Sequence, residues 1–288
     1  MAEDGNGNHP GVRAVEVRRR APGSGPILIL AGLFLAATFL AWYFTWFGRE
    51  LSDADVSKYL ADTSNPRHVQ HALLQIQQRI ERGDATSKTW YPQLIALSGS
   101  PETEFRLTLA WLMGFDNGST QFHEALLKLL KDSEPIVRRN AALALVRFND
   151  PSGREELVAI LKPYVVKANA SGTIASSLQE GATVARTTLL ARIGQADGKI
   201  VELRSPLPGR IDKLLKANGT EINEGDEVLS LYSDENSVWE ALRGLSLVGS
   251  REDLPAIESY AKSTSVSAKI REQASLAAKA IQTRIKTN

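Results

Sequence analysis

The distribution of apolar positions divides this chain into three kinds of segment. Residues 26–47 form an apolar run that contains no charged residue. From residue 65 to residue 161, apolar residues recur at helical spacing, and this pattern returns after residue 238. Between the helical parts, residues 166–231 show short alternating stretches separated by glycine, which is typical of β-strands and tight turns. The pattern predicts a mainly helical protein with one small all-β insertion and one N-terminal transmembrane helix.

The apolar run at residues 26–47 has the length of a membrane anchor, since roughly 20 apolar residues match the hydrocarbon thickness of a bilayer. Arginines precede the run, and three aromatic residues that suit a membrane interface lie at its far end: Trp42, Tyr43 and Trp46. These features predict a single-pass membrane protein with a cytoplasmic N-terminus and the bulk of the chain in the periplasm or its equivalent. The alternative is a cleaved signal peptide.

The helical part has a repeat of proline-containing helix starts. The prolines Pro66, Pro101 and Pro135 follow one another at intervals of 35 and 34 residues, and partner helices are predicted between them. The third segment resembles a HEAT repeat in its Asp132, Pro135, Val137-Arg138, Asn140-Ala141-Ala142 and Ala144-Leu145. Tetratricopeptide repeats are the alternative, because the period is short for a HEAT repeat. A lone repeat cannot bury its apolar face, so the helices before and after the insertion are expected to stack on each other.

The β segment contains one strand motif twice. Gly172 and Ile174 of the first copy correspond to Gly209 and Ile211 of the second. The second copy carries Ser205-Pro206-Leu-Pro-Gly209-Arg-Ile211, Asn218-Gly219 and Glu224-Gly225-Asp226 and resembles the biotinyl/lipoyl fold, especially its version in membrane-fusion (periplasmic adaptor) proteins. The resemblance implies a small barrel-sandwich.

Lipoyl domains present a lysine at the tip of the hairpin between their two halves, which is residues 194–199 in this chain. The lysine position of that pattern falls on Gly198, one residue before Lys199. Neighbouring strand residues face opposite sides, so we favour a solvated turn lysine over a carrier lysine at Lys199, and no cofactor is predicted.

Together these patterns divide the chain into a disordered cytoplasmic tail at 1–25, a transmembrane helix at 26–47, HEAT-like helices at 48–163, a lipoyl-like β module at 164–233 and C-terminal HEAT-like helices at 234–288.

The sequence contains no arrangement that indicates catalysis. The chain has no cysteine, and the net charge of +1 comes from mixed charges that give no argument for nucleic-acid binding. His68 and His71 share a helix face, but a metal site would need a further ligand, so no metal is predicted. No small-molecule substrate is evident either.

We therefore expect a membrane-anchored, non-enzymatic scaffold or adaptor, an accessory subunit of a transport, secretion or other envelope complex. Its expected partners are the lipid bilayer and an envelope or membrane-complex protein. The candidate interaction residues lie on the hairpin and on helix faces: Gln195, Asp197, Lys199, Arg138, Arg139 and Trp239. In the HEAT pattern such arginines more often tie neighbouring helices together. Two functions remain as alternatives, a carrier modified at Lys199 and a structural subunit of a large membrane complex such as a respiratory one.

Overall fold

The computed structural model describes residues 25–42, 50–176 and 178–287, which fall into two units divided after Glu50. In the first unit, helix α1 (Gly25–Trp42) has no acidic residue in its first turn and no basic residue in its last. Tyr43 and Trp46 of the predicted anchor lie outside the described residues, as does the predicted tail up to residue 24. Among the described residues, no helix is both long and apolar enough to cross a membrane.

The second unit, from Leu51 onward, is built mainly of paired helices. Its described residues contain ten α-helices: α2 (Asp53–Ala61), α3 (Pro66–Glu81), α4 (Tyr91–Leu97), α5 (Thr103–Leu112), α6 (Thr120–Leu129), α7 (Pro135–Arg147), α8 (Arg154–Ile160), α9 (Glu235–Val248), α10 (Leu254–Lys262) and α11 (Ala268–Thr287). Each even-numbered helix packs against the odd-numbered one that follows it. The odd-numbered helices α3, α5, α7, α9 and α11 also pack side by side in chain order, which is the arrangement of a helical solenoid.

Local signals explain where these helices begin. Pro66 and Pro135 are the first residues of α3 and α7, where the missing N–H of proline costs no hydrogen bond. Pro101 lies two residues ahead of α5. The side chains of Ser52 and Ser119 cap α2 and α6 by accepting hydrogen bonds from backbone amides of the first turn. The predicted proline-led helix starts are thus confirmed at two of the three positions.

The β insertion folds into two four-stranded antiparallel sheets. Its strands are β1 (Tyr164–Lys167), β2 (Gly172–Ala175), β3 (Thr183–Val184), β4 (Leu189–Gly194), β5 (Ile200–Arg204), β6 (Gly209–Leu214), β7 (Glu221–Ile222) and β8 (Glu227–Ser233). One sheet has the order β1-β8-β6-β3 and the other β5-β4-β2-β7. Exchanging strands 1–4 with strands 5–8 in order converts the first sheet into the second. The repeated sequence motif is therefore also a repeat of strand topology.

The equivalent glycines of the two copies have the same structural role. Gly172 begins β2 and Gly209 begins β6. A Cβ atom at Gly172 would overlap the carbonyl oxygen of Gly194 on the paired strand, and one at Gly209 would overlap that of Tyr232. Both positions therefore require glycine because two backbones approach each other closely. Two residues farther on, the equivalent isoleucines are both buried in the sandwich core.

The helices on either side of the sandwich share one apolar core. Ala142, Leu157 and Ile160, which precede the sandwich, belong to the same buried group as Leu242 and Leu245 of α9. Gly244 lets α9 approach closely, since a Cβ atom there would lie 3.1 Å from side-chain atoms of the helices before the insertion. The sandwich thus interrupts the sequence of the solenoid but not its packing.

Candidate functional site

The predicted interaction residue Arg138 is engaged in contacts that hold the solenoid together. Its Nη1 donates to the carbonyl oxygens of Asp132 (2.8 Å) and Ser133 (3.0 Å), and its Nε lies 3.5 Å from the carboxylate of Glu156 on α8. Arg106 makes the equivalent backbone contacts one repeat earlier. These arginines tie each helix to the turn before it and to the neighbouring repeat.

Arg106 and Asp132 form the strongest of these ties. Nε and Nη2 of Arg106 donate to the two carboxylate oxygens of Asp132 at 2.7 and 3.0 Å, and both side chains are largely buried. Burial by itself would raise the pKa of Asp132, but the hydrogen bonds from Arg106 and from the backbone of Glu134 outweigh it and lower that pKa. This pair is a structural element of the solenoid.

Arg139, the next residue along α7, is in a different environment. Its side chain is buried, with 4% of the residue exposed, and its Nε has no hydrogen-bond partner among the described residues. Burial lowers the pKa of Arg139, although the nearby Glu156, Tyr164 and Asp234 act in the opposite direction. Burying a cation without a full set of partners costs free energy. Contacts within the protein therefore explain the burial of Arg139 less well than the positions of Arg106 and Arg138.

Arg139 lines a groove of about 380 Å³ formed by α5, α7 and α9, which we call the α5–α7–α9 groove. The apolar side chains of its lining include Trp111, Leu143 and Leu247, and two further arginines, Arg147 and Arg243, line it as well. Trp111 is 44% exposed and Leu247 is 56% exposed, which is unusual for large apolar side chains next to a cavity. The groove can thus offer both cationic donors and an apolar wall to a bound group.

Aromatic and polar contacts position the side chains around the groove. Trp111 packs edge-on against Phe115 with ring centroids 4.5 Å apart, and the guanidinium of Arg147 lies 4.5 Å from the same Phe115 ring. Arg243 forms an ion pair with Glu240 at 3.4 Å, one helical turn away on α9. Arg147 and Arg243 are exposed, so they form a cationic rim above the buried Arg139.

Trp239, another predicted interaction residue, does not line this groove. It lies on α9 and packs against the buried core that α9 shares with α11. The Nζ atom of Lys269 lies 4.9 Å from the centre of its ring. The structure therefore places Arg139 in the groove, Arg138 in the repeat contacts and Trp239 between α9 and α11.

The predicted hairpin site is the turn between β4 and β5. The amide of Gln195 donates to the carbonyl of Lys199 at 2.8 Å, and Gly198 takes a positive φ of 85°. The ammonium of Lys199 lies 2.8 Å from the carboxylate of Asp197, and this hydrogen bond is the main cause of the lowered pKa of Asp197. Ile200 follows, with 65% of its surface exposed. Lys199 thus lies on an exposed turn, with its amine paired to the nearest carboxylate.

A second cavity of about 740 Å³ lies where the sandwich meets the C-terminal helices. Residues of the sandwich and of the helices line it together. They include basic, acidic and aromatic side chains: Lys162, Arg210, Tyr232, Asp234, Glu235 and Tyr260. The hairpin residues line neither cavity.

The two histidines considered as metal ligands have other partners. Nδ1 of His68 lies 2.7 Å from the carboxylate of Asp62, and its ring stacks on Tyr59 with centroids 4.2 Å apart. The ring of His71 is buried beside Gln75, and burial lowers the pKa of His71. In the described part of the chain, no group of three histidine or acidic side chains is arranged to hold a metal ion.

Sequence reasoning identified Arg139 but missed the groove around it. The missed residues are Trp111, Leu143, Arg147, Arg243 and Leu247. One signal was present, because Arg139, Leu143 and Arg147 follow at four-residue spacing and so share one face of α7. Which helix covers that face could not be derived from spacing.

Comparison with known proteins supports a HEAT-repeat protein. Residues 91–175 match the family model for HEAT repeats. No curated protein matches the chain. Among solved structures, a single-chain, multi-domain long-chain acyl-CoA carboxylase is 19% identical over 34% of this chain and 10% of its own, with a TM-score of 0.24. An engineered protein is 13% identical over 79% of both chains, with a TM-score of 0.41. This chain thus spans about a tenth of the carboxylase.

Proposed function

We propose that this protein is a non-enzymatic, membrane-anchored scaffold that binds another protein through the α5–α7–α9 groove. The observation that carries the proposal is the groove itself, in which exposed Trp111 and Leu247 flank the buried Arg139. Aromatic and arginine side chains are the residue types that contribute most to protein interfaces. The solenoid supplies a rigid surface for such a partner.

The proposed cellular setting is an envelope complex, such as a transport or secretion assembly, in which this chain is an accessory subunit. The apolar run at 26–47 and the arginines before it support an N-terminal anchor with a cytoplasmic N-terminus. The two sheets with exchanged strand order support a biotinyl/lipoyl-like barrel-sandwich, similar to the module of periplasmic adaptors. That module would extend the binding surface beyond the helices.

Site-specific photo-crosslinking in the cells that make the protein tests the binding surface. A benzoylphenylalanine in place of Trp111 or Leu247 should give one discrete adduct in the membrane fraction. Leu276 on α11 is the matched control, since it is 54% exposed but does not line the groove. An adduct pattern that is the same at Leu276, or no adduct at either groove position, would contradict the proposal.

Cysteine labelling in intact cells tests the membrane topology separately. The chain has no cysteine of its own, so single cysteines introduced at Ser24 and Ala196 report without background. A membrane-impermeant reagent should label Ala196→Cys and leave Ser24→Cys unlabelled. Labelling of neither position, with both accessible after lysis, would place the folded unit in the cytoplasm.

The second candidate function is a carrier modified on Lys199. The observation that favours it is the position of Lys199 in the exposed turn between β4 and β5, where the amine can reach solvent. The intact mass of the protein purified from its own cells tests it. A mass increase that disappears in Lys199→Arg would establish the carrier, and an unmodified chain would exclude it.

A further inference from the structure

Two carboxylates lie near the buried guanidinium of Arg139. These are Glu156 and Asp234, whose negative charges act to raise the pKa of Arg139. Glu156 is engaged by Arg138, and Asp234 accepts hydrogen bonds from the amide and hydroxyl of Ser237 at 3.0 and 2.6 Å. Both carboxylates thus have other partners, while the Nε of Arg139 has none among the described residues. A guanidinium carries five N–H donors in a planar fork that fits a carboxylate.

The position of Arg139 favours an anionic ligand. Asn236 and Ser237, in the first turn of α9, line the groove together with Arg139. The carboxylate of Asp234 already caps the N-terminus of α9, so the attraction for an anion comes from the arginines of the groove. Glu240 is the acidic side chain of the groove lining, and Arg243 pairs with it. The groove lining therefore carries a net positive charge.

The apolar part of the groove distinguishes a peptide from a small anion. Trp111 and Leu247 expose large apolar surfaces beside the cationic centre, and a bare phosphate or sulfate would leave both uncovered. A volume of about 380 Å³ is near the lower end of the range of roughly 300–1,000 Å³ for ligand pockets. This space suits one or two side chains of a bound segment better than a large cofactor.

We propose that the α5–α7–α9 groove recognises an acidic segment of the partner protein, in which an Asp, a Glu or a terminal carboxylate pairs with Arg139. A large apolar side chain next to that carboxylate packs against Trp111 and Leu247. Arg147 and Arg243 at the rim attract further acidic residues of the segment. This inference rests on the proposed scaffold function and names the chemistry of its partner.

Selection of binding peptides tests this chemistry without knowledge of the natural partner. A phage library of random 12-residue peptides is selected on the immobilised full chain in detergent. The enriched peptides should combine Asp or Glu with an adjacent Trp, Phe or Leu. Synthetic copies should bind Arg139→Met and Trp111→Ala at least 10-fold more weakly. Arg192→Met, which changes an exposed arginine of the sandwich, is the control and should bind as the unaltered chain does.

Arg139→Lys separates charge from geometry. It keeps the cation but loses the planar fork, so we expect an affinity between those of the unaltered chain and Arg139→Met. This variant and Trp111→Ala also maintain the test if Arg139→Met does not fold, which circular dichroism reports.

Several results would overturn the inference. They are the enrichment of no peptide, the enrichment of peptides without acidic residues, and equal affinity of the selected peptides for the Met variant. Inorganic phosphate that binds with the same dependence on Arg139 and none on Trp111 would show a small-anion site instead. Dimerisation that depends on Arg139, measured by sedimentation, would make a second copy the occupant. If the scaffold function is correct, the photo-crosslink at position 111 should still form when these results are negative. The scaffold proposal and the acidic-segment proposal can therefore be refuted separately.

Discussion

Replacement of Arg139 by methionine should leave the unliganded protein as stable as before or make it more stable. Only 4% of the residue is exposed, and its Nε lacks a partner among the described residues. Exchanging a buried ion pair for apolar residues of similar size is often neutral or stabilises by roughly 1–4 kcal/mol, and we expect the same sign for Arg139, whose Nε has no partner that the exchange would strand. Attraction from Glu156 and Asp234 is lost in the exchange, so we expect a gain in the lower half of that range, about 1–2 kcal/mol.

Thermal unfolding of the full chain in detergent, followed by circular dichroism at 222 nm, measures this effect. At about 2–4 °C per kcal/mol for a unit of this size, Tm should rise by about 2–8 °C. Arg106→Met is the matched control, because it strands the largely buried carboxylate of Asp132. Breaking such a buried pair costs about 3–5 kcal/mol, so this variant should unfold at a clearly lower temperature.

The test is whether the two substitutions change the free energy of unfolding in opposite directions. A loss of more than about 1 kcal/mol in Arg139→Met would refute the reasoning, since that cost is typical of a lost internal hydrogen bond. Arg139 would then be a structural residue like Arg106, and its burial would no longer indicate a bound carboxylate.

Three further predictions concern the solenoid, the sandwich and the groove. The lowered pKa of Asp132 stabilises the fold above the unfolded value of about 3.9, and this contribution disappears as pH falls through the folded pKa. Asp132→Asn should therefore flatten the loss of stability below about pH 4 in urea titrations at stepwise pH. Gly209→Ala should cost about 3 kcal/mol, because its Cβ atom would overlap a facing carbonyl oxygen. The Cβ atom of Gly198→Ala meets open space, so this variant should cost only about 1 kcal/mol of backbone strain. Equal costs of the two variants in urea unfolding would contradict the close approach at Gly209. Trp111→Ala should cost less stability than Leu109→Ala, because Trp111 is 44% exposed, whereas Leu109 is fully buried on the same helix and its loss should cost about 2–5 kcal/mol in the same assay.

Much of the architecture follows from local sequence signals. Prolines at 34- and 35-residue intervals predicted the helix starts, and two of them are the first residues of their helices. The repeated Gly-x-Ile motif predicted two equivalent halves, which the strand order of the two sheets bears out. These features were predictable because helix starts and glycine turns depend on residues that are close in sequence.

The predicted anchor at 26–47 shows the limit of composition. The absence of charge shows that this segment is compatible with a bilayer. Only part of the run lies among the described residues. Its role therefore remains a prediction that the labelling experiment addresses.

The groove, in contrast, is decided by tertiary structure. Its walls come from α7 and α9, which are separated in sequence by the whole sandwich, so no local pattern could bring Arg147 next to Arg243. The difference between Arg138 and Arg139 has the same origin. Adjacent residues on a helix point about 100° apart. Arg138 consequently reaches the preceding turn, while Arg139 lies under α9. The sequence determined that α7 carries the adjacent arginines Arg138 and Arg139, and the packing of α9 decided that Arg139 is the one that lines the groove.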